Sequence, residues 1–164
     1  MLSIQTILHP TDYSEYSEYA FRLSCSLAWD YAARLFLLHV IPGPALTGGA
    51  DPVACKIIEE FLDQQRHKLD RLQPSNPNIE VTRQLAQGDS AAEILRVAQE
   101  INCDIIIMGT HGSTGLKRLV GSVAEGVTRQ AHCPVVTVKT PFRQAASLRS
   151  SPVEKTEDTR ASAN

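Results

Sequence analysis

The residues best suited to chemistry lie in MGTHGSTGLKRLVGS, residues 108–122. Five of the chain's nine glycines fall at 109, 112, 115, 121 and 126, in this segment or just beyond it. Between them stand the hydroxyls of Thr110, Ser113, Thr114 and Ser122 and the basic-type side chains of His111, Lys117 and Arg118, with no Asp or Glu from 109 to 122. Such a segment suits an anion. Glycine lets backbone approach a ligand closely and take positive φ, and a helix start offers unpaired N–H groups with a partial positive charge. Ser122 with Glu125 has capping-box spacing, which places a helix N-cap at Ser122 and leaves the mouth open at Gly121. The spacing is neither a Walker A nor a GxGxxG pattern, so a plain surface loop turned by its glycines stays open on these residues alone.

A second group is HPTD, residues 9–12. On the residues alone, Asp12 is a candidate helix cap. His9, His39 and His111 look like acid–base catalysts only in isolation, and His9 and His39, near strand ends, are expected to be hydrogen-bonded structural residues. Nothing pairs a nucleophile with a base in named positions, so the expectation is a binder rather than an enzyme, with at most slow hydrolysis aided by Asp12. The four cysteines, Cys25, Cys55, Cys103 and Cys133, form no CxxC pair. His132, beside Cys133, suits no chelate geometry by spacing, and four reduced, mostly buried thiols are expected.

Alternating elements must position these groups. LSIQTIL (2–8) reads as a strand ended by HPTD. Ala20, Leu23, Ser24, Leu27, Ala28 and Tyr31 share one helical face over 15–33, and RLFLLHVI (34–41) is apolar enough for a strand covered on both sides. After a Gly/Pro-rich loop (42–52), Val53, Ile57, Ile58, Phe61, Leu62, Leu69 and Leu72 form a second helical stripe. IEVTRQLA (79–86) is a third strand, and a third helix opens at Ser90 with Glu93 at capping-box spacing. CDIIIM (103–108) is a fourth strand, Val123, Val127 and Ala131 face inward from a fourth helix, and PVVTV (134–138) is the last strand. This order predicts a parallel α/β sheet with helices on both faces. Residues 1–140 form the domain, and 141–164, without apolar period, are expected to be a disordered tail.

The motifs ILHPTDYSE, LLHVIP, GDSAAEIL, CDIIIM, MGTHGSTGLKRLVGSVAE and HCPVVTV, in register over 3–138, resemble the universal stress protein family. The resemblance implies a five-stranded sheet of order 3-2-1-4-5, which brings HPTD beside the glycine segment, and points to the ATP-binding branch. It implies that Pro10, Thr11 and Asp12 border the adenosine and metal-phosphate region, with Asp12 on Mg or Mn, and that Val40 presents backbone to adenine. Met108, Gly109, His111 and Gly112 would wrap ribose and the first phosphate, Gly121, Ser122 and Val123 would donate to the outer phosphates, and loop 42–52 would close over ATP, ADP or AMP. It also implies a homodimer through strand 134–138. One departure bears on the phosphates. ATP-binding members place nine residues between the second glycine and the Gly-Ser pair, whereas Ser113 to Val120 are eight, a difference of up to about 3.8 Å of backbone. A module of this fold that binds no nucleotide is the alternative.

Composition bounds the rest. A net charge of −2 argues against general affinity for nucleic acid or anionic membrane. No apolar run reaches the roughly 18 residues of a membrane span, and the N-terminus lacks a signal-peptide pattern, so a cytoplasmic protein is expected.

Overall fold

The computed structural model describes residues 3–43, 51–110 and 121–140. The elements are β1 (Thr6–Pro10), α1 (Glu15–Tyr31), β2 (Arg34–Pro42), α2 (Pro52–Asp70), β3 (Val81–Gly88), α3 (Ser90–Glu100), β4 (Ile105–Gly109), α4 (Ser122–Gln130) and β5 (Val135–Val138). All strand pairings are parallel and the sheet order is β3-β2-β1-β4-β5. The expected architecture therefore holds, with the sheet order reversing between β1 and β4. His111, Gly112, most of the 42–52 loop and the 141–164 tail lie outside the described residues.

Side-chain alternation along the strands builds two cores. Leu8, Leu38 and Ile106 point to the face covered by α3 and α4, where they meet Val97 and Val127. Ile7, Leu35, Leu37 and Ile107 point to the other face, against Ala20, Phe21 and Ala28 of α1 and Leu69 of α2. β1 runs on through His9 and Pro10, past the expected end at Leu8. Pro10 fits there because the Thr11 N–H, one residue on, donates to the Leu38 oxygen at 2.8 Å. The missing Pro10 N–H thus faces β4, whose pairing with β1 covers only Ile7 and Leu8.

Two helices differ from expectation. Tyr31, expected on the inner face of α1, is exposed, because the chain turns away at Ala32 (φ 52°). The stripe on α2 is buried only toward its C-terminal end. Leu69 is 2% exposed, whereas Val53, Ile57 and Phe61 are 67%, 61% and 38% exposed. The helix meets the sheet near Leu69, and in its first half Val53, Ile57 and Phe61 stay exposed while Ala54, Cys55 and Ile58 are partly buried. No helix among the described residues is long and apolar enough to cross a membrane.

Candidate functional site

The turn after β1 is locked by its own polar groups. The Thr11 hydroxyl oxygen accepts from the Tyr13 N–H at 3.1 Å and from the Ser17 hydroxyl at 2.8 Å. Asp12 Oδ1 accepts from the Ser14 N–H (3.1 Å) and hydroxyl (2.6 Å). Ser14 caps α1 by accepting from the Ser17 N–H. Asp12 is therefore not the helix cap; it orients the residue that is. Tyr13 takes φ 63°, its ring lies 4.5 Å from that of His39, and its hydroxyl donates to the Gln65 oxygen of α2.

The two described histidines of interest are structural. His39 Nδ1 pairs with the Thr11 oxygen at 2.8 Å, and burial holds its pKa below the usual histidine value. His9 is fully buried, and its Nδ1 lies 2.8 Å from the Ile107 oxygen. A carbonyl can only accept, so Nδ1 carries the proton and Nε2, without a partner among the described residues, is the bare nitrogen. Burial lowers the His9 pKa to about 4, which keeps the ring neutral.

Across the cleft, β4 ends at Gly109. A Cβ there would lie 2.9 Å from the Tyr16 carbonyl carbon and 3.0 Å from the Ser17 nitrogen. The first turn of α1 packing on the strand end requires this glycine, whatever a ligand adds. Thr110 follows, its N–H donating to the Val138 oxygen at 3.0 Å.

α4 begins at Ser122 with Gly121 as its N-cap and without a side-chain capping bond. This corrects the expectation of a cap at Ser122. The Gly121 N–H is also not aimed at the cleft, since it donates to the Thr110 oxygen at 2.7 Å. The next three N–H groups, of Ser122, Val123 and Ala124, meet no acceptor among the described residues. The open end of the helix thus starts one residue later than expected. Its dipole favours an anion there.

These walls enclose one cleft at the C-terminal edge of the sheet. Pro10, Thr11, Asp12, Val40, Met108, Gly109, Gly121, Ser122 and Val123 all line it, and Ser17, Ser90, Ile94, Thr110 and Ala124 join them. Ser17 is a small polar residue on the buried face of α1, a pattern that does not by itself mark it as a lining residue. Ser90 stands at the mouth of α3, where Asp89 rather than Ser90 caps the helix by accepting from the Ala92 N–H at 2.8 Å. As to a divalent cation, Asp12 is the single carboxylate among the described lining residues. That donor set fits Mg²⁺, which is commonly bound through one or two carboxylates plus substrate phosphates.

The cysteines hold one surprise. Cys103 Sγ lies 3.3 Å from Cys133 Sγ, and a His132 ring nitrogen joins them, all three ligand atoms lying within 4.8 Å of one another. The expectation that His132 suits no chelate geometry is overturned, because adjacent strand ends bring together residues that sequence spacing keeps apart.

Known proteins share this fold. Universal stress protein MJ0531 of Methanocaldococcus jannaschii is 32% identical over 142 residues, covering 84% of each chain. MJ0577 of the same organism superimposes with a TM-score of 0.74 at 29% identity, over 86% of this chain and 99% of that one. The fold also matches that of the universal stress protein from Archaeoglobus fulgidus in complex with dAMP, with a TM-score of 0.54 and 20% identity over 85% of this chain and all of that one. The sequence model described as the universal stress protein family matches residues 3–139. On that span, and with the same sheet order, this chain belongs to the universal stress protein family.

Proposed function

We propose that this protein binds an adenine nucleotide in the cleft between β1 and β4, ATP or its shorter relatives ADP and AMP, with Mg²⁺ or Mn²⁺ accompanying the phosphates. The observation that carries this reading is the convergence of nine sequence-selected residues on one cleft whose far wall is a helix N-terminus unpaired among the described residues. Open parallel sheets bind ligands at the switch point of strand order, which is where this cleft lies. Binding of dAMP by the Archaeoglobus relative of the same fold is consistent with it.

In this reading Pro10, Thr11 and Val40 border the nucleoside and Met108 and Gly109 border the ribose. The N–H groups of Ser122, Val123 and Ala124 receive the phosphates, and Asp12 stands where a phosphate-bound cation would be shared. His111 and Gly112 are assigned to ribose and first phosphate by resemblance. Gly121 drops out as a donor, so the phosphate grip rests on three N–H groups beginning at Ser122. The chain acts as a sensor or regulator in the cytoplasm rather than as a catalyst. Two copies pair through β5, the sheet edge, since an unpaired edge strand offers its N–H and C=O groups to a second chain.

Titration calorimetry with adenosine, AMP, ADP and Mg·ATP tests the reading. Saturable heat with all four, strengthening with phosphate count, is expected. No heat from any of them at millimolar concentration would contradict it. The second reading, an interaction module that binds no nucleotide, is favoured by the exposed apolar residues Val53, Ile57 and Phe61 on α2, and would survive that negative result.

A further inference from the structure

The opposite edge of the sheet carries a separate constellation. β4 and β5 pair in parallel with Ile106 opposite Val135, so the residues just before each strand are brought side by side. The approach is held by backbone on both sides. The Cys103 N–H donates to the Ala98 oxygen at 3.0 Å, the Asp104 N–H to the Thr6 oxygen at 2.9 Å, and the Ile106 N–H to the Pro134 oxygen at 3.0 Å. Cys103 is 3% exposed, Cys133 is half-buried and His132 is exposed, so the group has one fixed anchor and an open side.

We propose that Cys103, His132 and Cys133 form a three-ligand site for a thiophilic d¹⁰ cation of the Zn²⁺ type. Two thiolates and a neutral imidazole are a known zinc donor set, with the fourth position left to water. Zinc–sulfur bonds of about 2.3 Å in a tetrahedral site set the sulfurs roughly 3.8 Å apart, so the observed 3.3 Å must open by about half an ångström. The half-buried Cys133 and exposed His132 can supply that movement by side-chain rotation while Cys103 stays put. Charge also favours the assignment. Two thiolates cancel a divalent cation, so the loaded site is neutral and suits a half-buried position. Asp104, next in sequence, is already committed, its Oδ2 accepting from the Gln5 and Thr6 N–H groups at 2.8 Å each.

The site lies at the N-terminal ends of the strands and does not depend on nucleotide binding. The test uses the full chain with Cys25→Ser and Cys55→Ser, reduced with a phosphine, and titrated with Zn²⁺ against a chromophoric chelator and separately with Co²⁺. One equivalent of Zn²⁺ and a thiolate-to-cobalt charge-transfer band are expected. Cys133→Ser should weaken zinc by more than about 100-fold, since even the outer-shell partners of metal ligands are worth 10–100-fold. His132→Ala, an exposed change that leaves the fold intact, should weaken it at least about tenfold and alter the cobalt spectrum. Substoichiometric zinc, absence of the cobalt band, or unchanged affinity in both variants would overturn the proposal. So would a loss of two mass units to a Cys103–Cys133 disulfide in a glutathione buffer containing zinc, with the metal left in solution.

Discussion

The two walls of the cleft are built on opposite plans. On the β1 side, Thr11, Asp12, Tyr13, Ser14 and Ser17 bond to one another or to His39 and α2, forming a turn whose polar groups hold each other. On the α4 side, Gly121 has no side chain to cap the helix, and three N–H groups in succession find no acceptor among the described residues. A saturated wall recognises by shape and a few fixed contacts, whereas an open helix mouth recognises by charge. The difference assigns nucleoside to the first and phosphate to the second.

The saturated wall is best broken through the buried ring beneath it. His9 is neutral and fully buried with a pKa of about 4, against 6.5 for a free histidine. Below pH 6.5 the unfolded chain binds a proton that the folded chain refuses, so stability falls as pH drops from 6.5 toward 4 and is flat above 6.5. The full loss is up to about 3 kcal/mol, and His39, shifted the same way, adds to it. Urea unfolding across that range should show the slope, and a His9→Gln variant should reduce it to the His39 part.

Gly109→Ala comes next. The added methyl would press on Tyr16 and Ser17 backbone at 2.9–3.0 Å, and overpacking of this kind costs about 1–3 kcal/mol. Because those residues open α1, the variant should also lose adenosine affinity, checked by unfolding and calorimetry together. Ser14→Ala removes the α1 cap and the hydroxyl that donates to Asp12 Oδ1, leaving the backbone N–H bond in place, and should cost about 1 kcal/mol. If its effect on adenosine binding equals its effect on ATP binding, Asp12 serves the turn and not the phosphates.

The strands, the helices and the parallel α/β class are legible in the sequence as short-range patterns, whereas the sheet order and most of the cleft residues rest on the family resemblance. Ile7, Leu8 and Leu35 to Leu38 read as strands buried on two faces, and the glycine segment stands between a buried strand and a helix. What escaped depends on contacts distant in sequence or on a one-residue choice. Ser122 and Gly121 both satisfy the start of α4 by local pattern, and the decision falls to the Thr110 carbonyl, which captures the Gly121 N–H. The apolar period of α2 is genuine, yet whether Val53 and Ile57 are covered depends on where the helix meets the sheet. Cys103 and Cys133 stand 30 residues apart, and only the pairing of β4 with β5 brings them together.

The central claim, phosphate at the open mouth of α4, is tested most directly by Ser122→Pro. Proline is well suited to the first helical position, and Gly121, at φ −68° and ψ 154°, already has the extended backbone that a residue before proline needs. The change should therefore leave stability within about 0.5 kcal/mol of the parent while deleting one N–H donor, with Ser122→Ala as control for the hydroxyl. The account predicts that ATP affinity falls about tenfold or more, the worth of a hydrogen bond to a charged group, and that adenosine affinity is unchanged. Equal losses for both ligands, or no loss for ATP, would contradict it.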